Sequence, residues 1–305
     1  MTAEIVQPAK DAIARAADIL RSGGLVAMPT ETVYGLACDA ANSEAVARLY
    51  AAKERPSFNP LIAHVLDVEQ AIREGVFSDT AKSLADSNWP GPLTLVTPLA
   101  QSHTVCDLAR AGLETVALRS PAHPVAQELL ESFGGPVVAP SANPSGMISP
   151  TRPEHVLDDM AEAVDLILDG GSCEVGIEST ILSCITDPPT LLRPGSFDAS
   201  AYAEGKIDES APTAPGQLSR HYAPRATLRL NVTAPPNEEA YLGFGDLDGT
   251  LNLSHSGDLI EAAANLFDML RRLDTDHTRI AVAPIPEIGL GIAINDRLAR
   301  AAKRD

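Results

Sequence analysis

Segments that mark membrane or secreted proteins are missing from the chain. No uninterrupted apolar run in the 305 residues approaches the roughly 20 residues that a membrane span needs. The N-terminal stretch from Met1 to Pro8 lacks a basic segment followed by an apolar one, so no secretory signal is visible. A mean hydropathy of +0.00 and 45% hydrophobic residues are ordinary for a soluble globular protein. The sequence therefore predicts a cytoplasmic protein.

Cysteine is scarce. The four cysteines form no Cys-x-x-Cys pair and have no neighbouring histidine at the spacing of a zinc site; they are Cys38, Cys106, Cys173 and Cys184. We expect them to be small core residues, and we expect no tightly bound metal site formed by the protein alone.

Positive charge is in short supply, which limits the partners that the chain can bind. Lys and Arg number 23 against 41 Asp and Glu, and the net charge is -18. That charge repels phosphate backbones at long range, and no run of Lys or Arg forms a local basic patch. The cations are scattered singly, a distribution that fits a small anionic ligand better than a nucleic-acid duplex.

Common nucleotide-binding motifs are absent as well. The chain has neither a P-loop, which ends in Gly-Lys followed by Ser or Thr, nor the glycine fingerprint of dinucleotide-binding folds. Two other segments are informative instead. Lys53 to Leu61 places two cations before a Pro-Ser-Phe-Asn-Pro stretch, and Ala139 to Gly146 presents hydroxyl and amide groups in a loop rich in Pro and Gly. Such groups suit a polyanion such as a nucleoside triphosphate.

Hydrophobic periodicity predicts an α/β sheet with at least some antiparallel pairing. Helical patterns cover residues 13–20, 43–53, 67–73, 79–87 and 123–133. Strand-like runs cover 25–28, 60–65, 93–97, 115–119, 136–139, 165–168, 179–184 and 190–193. We expect Ser43 to cap the second helix. The hydroxyls of residues 30–36 follow the end of the first strand, where ligands bind in open α/β sheets.

Composition changes after about Phe197, and the length of the chain favours two domains. Residues 208–216 have few apolar side chains, so we interpret this stretch as an extended linker. Beyond it, strand-like runs at 226–232, 241–244 and 280–285 and helical patterns at 257–272 and 291–302 predict a second, smaller α/β unit.

Taken one at a time, the candidate binding residues have ordinary structural explanations. Lys53 and Arg55 stand where surface cations complement a helix C-terminus. Arg119 and Arg193 end apolar strands, where a surface ion pair is a common role, although each is followed within two residues by a proline. His64 lies on a strand, where a core or edge histidine is more common than a catalytic one.

Two polar segments leave their interpretation open. Ser141 lacks the Gly-x-Ser-x-Gly frame of an activated nucleophile, so its alternative role is hydrogen bonding to phosphate or ribose. Glu178-Ser179-Thr180 follows a glycine-rich stretch and is either a loop-to-strand junction or a second polar rim of the same pocket.

Taken together and in order, several segments resemble the YrdC-like threonylcarbamoyl-AMP synthases. They are Pro29-Thr30-Glu31-Thr32-Val33-Tyr34-Gly35-Leu36, Lys53-x-Arg55-Pro56, Ser141-x-Asn143 and Gly176-Ile177-Glu178-Ser179-Thr180. The segments at 214–224 and 289–298 resemble the linker and C-terminal domain of the long, two-domain form, although Gln217 stands where that linker often has Met. The resemblance covers almost the whole chain.

The resemblance implies a fold and a set of domain boundaries. Residues 1–204 are expected to form a YrdC-like catalytic domain, a twisted open mixed sheet with helices. Residues 205–225 are expected to be a linker that folds over the active site as a lid, and residues 226–305 a small Rossmann-like α/β domain.

The resemblance also implies a reaction, in which a nucleotidyltransferase joins L-threonine, bicarbonate or CO2, and ATP with Mg2+ into threonylcarbamoyl-adenylate and pyrophosphate. Partner proteins, a threonylcarbamoyl transferase complex, then use the product to modify the adenosine beside the anticodon of certain tRNAs. The implied threonine contacts are Thr32, His64, Arg119, Ala139 and Ser179. The implied ATP contacts are Lys53, Arg55, Asn59, Thr115, Ser141, Asn143, Ser149, Arg193 and Tyr222, with Lys53 and Arg55 as the catalytic cations.

Other functions stay open on the sequence alone. A carbamoyl-adenylate-forming maturation factor shares a YrdC-like domain, but such proteins are longer and carry zinc-binding modules, whereas this chain has no paired Cys-x-x-Cys. A non-catalytic RNA-binding module is disfavoured by the net charge of -18, which also leaves tRNA contact to partners. A regulatory protein that binds ATP without turnover is a third alternative.

Overall fold

The computed structural model describes residues 3–203, 221–234 and 238–303. Within them lie a ten-stranded sheet and a four-stranded sheet. The strands of the larger sheet are Ile5–Val6 (β1), Val26–Met28 (β2), Gly35–Asp39 (β3), Ile62–His64 (β4), Leu93–Pro98 (β5), Thr115–Arg119 (β6), Val137–Val138 (β7), Leu166–Leu168 (β8), Thr180–Ser183 (β9) and Thr190–Arg193 (β10). Their order across the sheet is β1-β8-β2-β3-β7-β4-β6-β5-β9-β10.

This larger sheet is mixed, as predicted. β4 and β6 run parallel, and so do β5 and β9, whereas β5 and β6 are antiparallel and β7 is antiparallel to β4. Its helices are Lys10–Arg21 (α1), Ser43–Ala52 (α2), Val68–Glu74 (α3), Asp79–Asn88 (α4), Pro124–Phe133 (α5) and Pro153–Met160 (α6). The predicted apolar stripe of α1 packs against α5 through buried side chains of both helices.

One local expectation needs correction, and two longer elements were not predicted. The N-cap of α2 is Asn42, whose side chain accepts hydrogen bonds from the backbone N–H groups of Glu44 and Ala45, and Ser43 is the first helical residue. Asn and Ser both cap helices, so the sequence pattern did not show which of these two neighbouring residues is the N-cap. Strand β3 was not predicted; its Gly35 packs against Ala139, where an added Cβ would meet the Ala139 Cβ at 3.0 Å. Helix α6 was not predicted.

The smaller sheet is wholly parallel in the part of the chain that the structure describes. Its strands are Thr227–Arg229 (β11), Ala240–Gly243 (β12), Leu251–Asn252 (β13) and Arg279–Val282 (β14), in the order β11-β14-β12-β13. Helices Leu259–Asp276 (α7) and Leu290–Ala302 (α8) pack on it. The predicted second α/β unit is confirmed, while the domain boundaries at 204 and 226 stay predictions. Most of the expected linker, residues 204–220, lies outside the described residues.

The second unit packs directly against the polar segments of the first. One buried cluster combines Val33, Ile148 and Ile177 with apolar side chains of α7 and α8. Gly176 has a φ of +75°, and a Cβ added there would lie 2.5 Å from the backbone oxygen of Ala263 in α7. Glycine is therefore required at this point of close approach. Among the described helices, none combines the length and the apolar content that a membrane crossing requires.

Candidate active site

A small cavity lies on the face of the larger sheet where β4 and β6 end. Its volume is about 50 Å³. The register pairs Ile62 with Ala117 and His64 with Arg119, so the side chains of alternate residues on both strands share this face. The cavity is lined by Thr32, Val33, Arg55, Ile62, His64, Arg119, Ala139, Pro140, Ser141, Glu178, Ser179, Arg193, His221 and Tyr222. Most of the site residues expected from the sequence are in this lining.

Arg119 is the centre of a buried network at one end of the cavity. Its Nη2 lies 2.7 Å from the Glu31 Oε1, its Nη1 donates to the Thr32 Oγ1 at 2.9 Å, and its Nε donates to the Gly91 carbonyl at 3.2 Å. The Arg119 side chain is only 5% exposed, so the surface ion pair considered for it is wrong. The guanidinium has five N–H groups, and these three contacts leave donors for a ligand carboxylate.

The loop that carries Glu31 and Thr32 is folded by its own hydroxyls. The Thr30 Oγ1 donates to the Val33 carbonyl at 2.6 Å and accepts from the Thr32 and Val33 N–H groups at 3.2 Å. Such a turn needs a short hydroxyl side chain at its first position. Because the loop follows β2, it places Thr32 beside Arg119, which ends β6.

His64 is a buried, neutral histidine beside Arg119. Burial first and the positive charge of Arg119 second lower its pKa from 6.5 to about 3, against a small opposing contribution from the Ile62 backbone. Its Nδ1 has no hydrogen-bond partner among the described residues. His64 is therefore a core residue by burial, and it also offers an unpaired ring nitrogen at the cavity wall.

Ser179 and Arg193 form the opposite wall. The Ser179 Oγ lies 2.8 Å from the Thr94 Oγ1, and the Arg193 Nη2 donates to the same Oγ at 3.1 Å and to the Ser179 carbonyl at 2.9 Å. Arg193 is 4% exposed, and burial is the main cause that lowers its pKa. Of the two interpretations left open for 178–180, this geometry supports the polar rim.

Lys53 does not line the cavity, and it is not the surface cation that its position after α2 suggested. It is 1% exposed, and its Nζ donates to the Ser141 carbonyl and, at 2.5 Å, to the Asn143 carbonyl. Burial first and Arg55 second lower the pKa of Lys53 well below its ordinary value. Lys53 thus fixes the Ser141 loop from outside the cavity, while Ser141 itself lines the cavity.

Arg55, two residues after Lys53, lines the cavity. Its Nη2 donates to the Pro60 carbonyl at 3.0 Å and its Nε to the Asn59 carbonyl at 3.3 Å. Burial is the main cause that lowers the pKa of Arg55 to about 10. The side-chain amide of Asn59 is fully buried, and neither of its polar atoms has a partner among the described residues.

Three other expected ATP contacts lie outside the cavity lining. Ser149 is buried and donates from its Oγ to the Glu178 Oε1 at 2.5 Å. The Asn143 Nδ2 donates to the Pro144 and Met147 carbonyls at 2.8 and 3.0 Å. Thr115 starts β6, on the same face as Arg119 but about 13 Å along the strand at 3.3 Å per residue.

Sequence reasoning missed His221, which lines the cavity together with Tyr222. The two rings meet edge to face, with centroids 4.0 Å apart. Burial first, followed by Arg55, Lys53 and other cations, lowers the pKa of His221 well below 6.5, so the ring is neutral. Neither the His221 Nδ1 nor the Tyr222 hydroxyl has a partner among the described residues. The signal was present, since His221 directly precedes the predicted Tyr222.

The electrostatics of the cavity are opposite to those of the whole chain. Arg55, Arg119 and Arg193 all face it, and Glu178 is the one carboxylate in the lining. A larger open groove of about 700 Å³ along α1 contains none of the expected residues, and most of its charged side chains are in ion pairs, such as the 2.9 Å pair of Arg48 and Asp165. The buried cavity is therefore the candidate anion site.

No group of three metal-ligating side chains occurs among the residues for which the structure gives positions. Glu178, the one cavity carboxylate, is already engaged by Ser149 and by Arg297, whose Nε lies 3.1 Å from the Glu178 Oε2. The four cysteines are free thiols, and Cys38, Cys173 and Cys184 are buried, as expected for small core residues.

Two protein-family models match the chain. The model described as Telomere recombination, named Sua5_yciO_yrdC, matches residues 18–195. The model described as Threonylcarbamoyl-AMP synthase, C-terminal domain, matches residues 177–303. Together they span most of both units.

Similar proteins extend this match over nearly the full length. The threonylcarbamoyl-AMP synthase of Bacillus subtilis is 39% identical, over 95% of this chain and 92% of its own length. The synthase of Pyrococcus abyssi is 38% identical, over 94% of this chain and 93% of its own. A crystal structure of P. abyssi Sua5 complexed with L-threonine superposes with a TM-score of 0.90 at 36% identity, covering 98% of this chain and 97% of that one.

Proposed function

Because the chain belongs to the Sua5 family of threonylcarbamoyl-AMP synthases, we propose that its cavity joins L-threonine, bicarbonate or CO2, and ATP into threonylcarbamoyl-adenylate. The chain is an enzyme of the nucleotidyltransferase type, and pyrophosphate is the second product. The buried convergence of Arg55, Arg119 and Arg193 carries this proposal, because both ATP and the carbamate of threonine are anions.

Threonine binds at the Arg119 end of the cavity. The planar fork of Arg119, held by Glu31, receives the threonine carboxylate. Thr32, Ser179 and the unpaired Nδ1 of His64 supply polar groups for the amine and the side-chain hydroxyl. Ala139 contributes an apolar wall for the methyl group.

ATP binds between the Ser141 loop and Arg193, with Arg55 on its phosphates. Lys53 fixes the loop through two backbone carbonyls, so that Ser141 meets the nucleotide in one conformation. Asn59 and Tyr222 each present buried polar atoms without a partner among the described residues, as expected for groups that pair with a ligand. Thr115, Asn143 and Ser149 extend this proposed ATP site. Mg2+ enters as part of the Mg-ATP substrate.

The reaction needs positioning and charge stabilisation rather than a covalent nucleophile. The amine of threonine and CO2 give an unstable carbamate, whose oxygen attacks the α-phosphorus of ATP while pyrophosphate leaves. The arginines offset the repulsion between the two anions, and the closed cavity keeps water away from the carbamate. Because His64 and His221 are neutral, the positive charge that faces these anions comes from the arginines.

The cavity is too small for ATP, and this supports the proposal of a lid. Its volume of about 50 Å³ is far below the range of roughly 300–1,000 Å³ that is usual for ligand sites. His221 and Tyr222 are part of its lining, and both lie within residues 205–225, the segment assigned to the linker. We propose that this pair moves aside to admit ATP. Deleting residues 205–305 should then impair turnover, and unchanged kinetics in the shortened protein would contradict the lid.

The product serves a later step on tRNA. Threonylcarbamoyl-adenylate is a mixed anhydride, and a partner transferase complex passes its threonylcarbamoyl group to the adenosine beside the anticodon. The net charge of -18 leaves the contact with tRNA to those partners.

Pyrophosphate release tests the proposed function. It is measured with Mg-ATP, with and without L-threonine and bicarbonate, on the wild type and on Lys53→Ala. Release that requires both co-substrates and falls at least 100-fold in the variant supports the synthase. Release that is independent of threonine, or no release under any condition, contradicts it and favours a binding module, for which a salt-dependent titration with duplex RNA is the next measurement.

A further inference from the structure

Arg297 of α8 is the largest fully buried side chain in the described part of the chain, and it does not line the cavity. It is 1% exposed. Its Nε lies 3.1 Å from the Glu178 Oε2, its Nη1 donates to the Pro194 carbonyl at 2.6 Å, and its Nη2 lies 3.4 Å from the Glu178 carbonyl. One side chain of the second unit therefore holds two segments of the larger sheet, after β10 and before β9.

Glu178 links Arg297 to Ser149, a residue of the proposed ATP site. While one carboxylate oxygen meets Arg297, the other accepts the hydrogen bond from the Ser149 Oγ at 2.5 Å. A carboxylate that is held at both oxygens has a fixed orientation. The position of Ser149 therefore depends on an arginine that is 148 residues further along the chain by position number.

Two more of the proposed ATP contacts, Tyr222 and Arg193, lie next to Arg297. Tyr222 contacts its guanidinium, and Arg193 precedes Pro194, whose carbonyl accepts from it. The Arg297 guanidinium lies over the Tyr222 ring, 5.5 Å from its centroid, and the same ring stacks on Phe267 of α7 with centroids 5.4 Å apart. Pro194, whose carbonyl accepts from Arg297, directly follows Arg193. Gly195 allows this approach, since a Cβ there would lie 2.6 Å from the Glu178 carbonyl oxygen.

Arg119, the proposed partner of the threonine carboxylate, is held without any contact from Arg297. Arg119 is held by Glu31, Thr32 and the Gly91 carbonyl, all of which belong to the larger sheet and its loops. The carboxylate contact of threonine is thus held by the larger sheet and its loops, whereas Glu178 and Pro194, beside the proposed ATP contacts, are held by an arginine of the second unit.

We propose that Arg297 is a positioning residue for ATP, which acts through Glu178, Pro194 and Tyr222 and thereby makes the second unit a structural part of the ATP half of the site. This inference rests on the proposed function. The burial of Arg297 by itself lowers its pKa, but Tyr222, Glu178 and Asp296 outweigh that effect, so the net pKa is raised and the guanidinium stays charged. Removal of the cation would leave Glu178 buried without its charge partner.

Arg297→Lys is the informative variant, because lysine keeps the charge and loses the fork that contacts Glu178 and Pro194 together. Titration calorimetry on the full chain gives the dissociation constants of Mg-ATP without bicarbonate and of L-threonine. We expect the constant for Mg-ATP to rise at least 10-fold and the constant for threonine to stay within 2-fold. Arg279→Lys, an exposed arginine of β14 that pairs with Glu238 at 3.0 Å, is the matched control.

Ligand affinities separate positioning from mere loss of stability. A variant that only unfolds in part has a smaller active fraction and a lower apparent kcat, but its folded molecules keep both dissociation constants. Glu178→Gln is the second variant, since its amide oxygen can still accept from Ser149. If Arg297 acts through Glu178, the double variant binds Mg-ATP no more weakly than the weaker single variant.

The outcomes of this experiment can be told apart from the outcomes of the pyrophosphate-release test of the proposed function. The positioning role is overturned if Arg297→Lys binds Mg-ATP as tightly as the wild type does. It is also overturned if the variant loses affinity for Mg-ATP and for threonine by the same factor, even when the synthase is active. A wild type that binds Mg-ATP but releases no pyrophosphate overturns the proposed function, and the Mg-ATP comparison still decides the role of Arg297. A wild type that binds neither ligand overturns both.

Discussion

Glu31 and Arg119 form a buried ion pair, with 2.7 Å between the Glu31 Oε1 and the Arg119 Nη2 and side chains that are only 10% and 5% exposed. The other Glu31 oxygen accepts from the Ala122 N–H at 3.0 Å. Glu31 therefore fixes the plane of the guanidinium while other N–H groups of Arg119 remain for a ligand.

The first prediction concerns this pair. Arg119→Lys should raise the KM for threonine about 100-fold, because a charged bidentate contact is worth roughly 1.5–3 kcal/mol and lysine cannot form it. Glu31→Gln should raise the same KM by a smaller factor, since it loosens Arg119 without removing it. Pyrophosphate release at varied threonine measures both. Arg110→Lys, a buried arginine that pairs with Asp107 away from the cavity, is the control and should leave this KM unchanged.

The second prediction concerns a buried hydroxyl. Tyr222→Phe removes an O–H that has no partner among the described residues, so the melting temperature should rise by roughly 2 °C, while the KM for ATP increases several-fold. Tyr34→Phe is the control. The Tyr34 O–H donates to the Gly171 carbonyl at 2.8 Å and its oxygen accepts from the Gly170 N–H at 3.0 Å, so this change should lower the melting temperature without altering the KM for ATP. An unaltered KM in Tyr222→Phe would argue against a nucleotide contact.

The third prediction concerns Lys53. Lys53→Met keeps the length of the side chain and removes the donors to the Ser141 and Asn143 carbonyls. The buried Asn143 carbonyl then loses its side-chain donor, while the Ser141 carbonyl keeps the bond from the Asn143 N–H at 2.9 Å. This should cost about 1–3 kcal/mol of unfolding free energy and reduce turnover at least 100-fold. Urea denaturation and pyrophosphate release measure the two effects. Lys82→Met, on the exposed side of α4, should change neither, and full activity in Lys53→Met would refute the loop-holding role.

The fourth prediction concerns pH. The pKa of His64 is 6.5 in an unfolded chain and about 3 in the folded protein, chiefly because of burial. Below about pH 6.5 the unfolded state binds the proton and the folded state does not, so stability falls as the pH falls through the window from 6.5 to about 3. By linkage, His64 costs about 2 kcal/mol at a pH of about 5 relative to neutral pH.

His64→Gln tests the sign and size of this effect. Urea denaturation at a series of pH values should show a pH dependence that is smaller by about 2 kcal/mol between roughly pH 7 and pH 5. The remaining dependence includes His221, whose pKa is lowered for the same main reason. His255→Gln, at a histidine side chain that is 75% exposed, should reproduce the wild-type profile. If the unfolding free energy of His64→Gln depends on pH as it does in the wild type, His64 titrates with its ordinary pKa in the folded protein.

Much of the fold was readable from local pattern. The apolar spacing of Ile13, Ala16, Ala17 and Leu20 predicted α1, and all four residues are buried. The short apolar runs predicted the strands that carry Arg119 and Arg193, because a strand of buried residues needs only a few consecutive apolar side chains. Very short elements were missed, such as β1 with two residues, because they carry too little pattern.

The sequence by itself determined the chemistry of the site, in the ordered segments that carry Thr32, Arg55, Ser141 and Ser179, and its apolar periodicity predicted two α/β units. Only the tertiary structure decided which way each charged side chain points. Lys53 turns inward to carbonyls 88 and 90 residues away, and Arg297 reaches Glu178 across 119 residues. Such contacts have no local signature, because a buried charge is stabilised by whatever acceptors the fold brings to it and not by its neighbours in the chain.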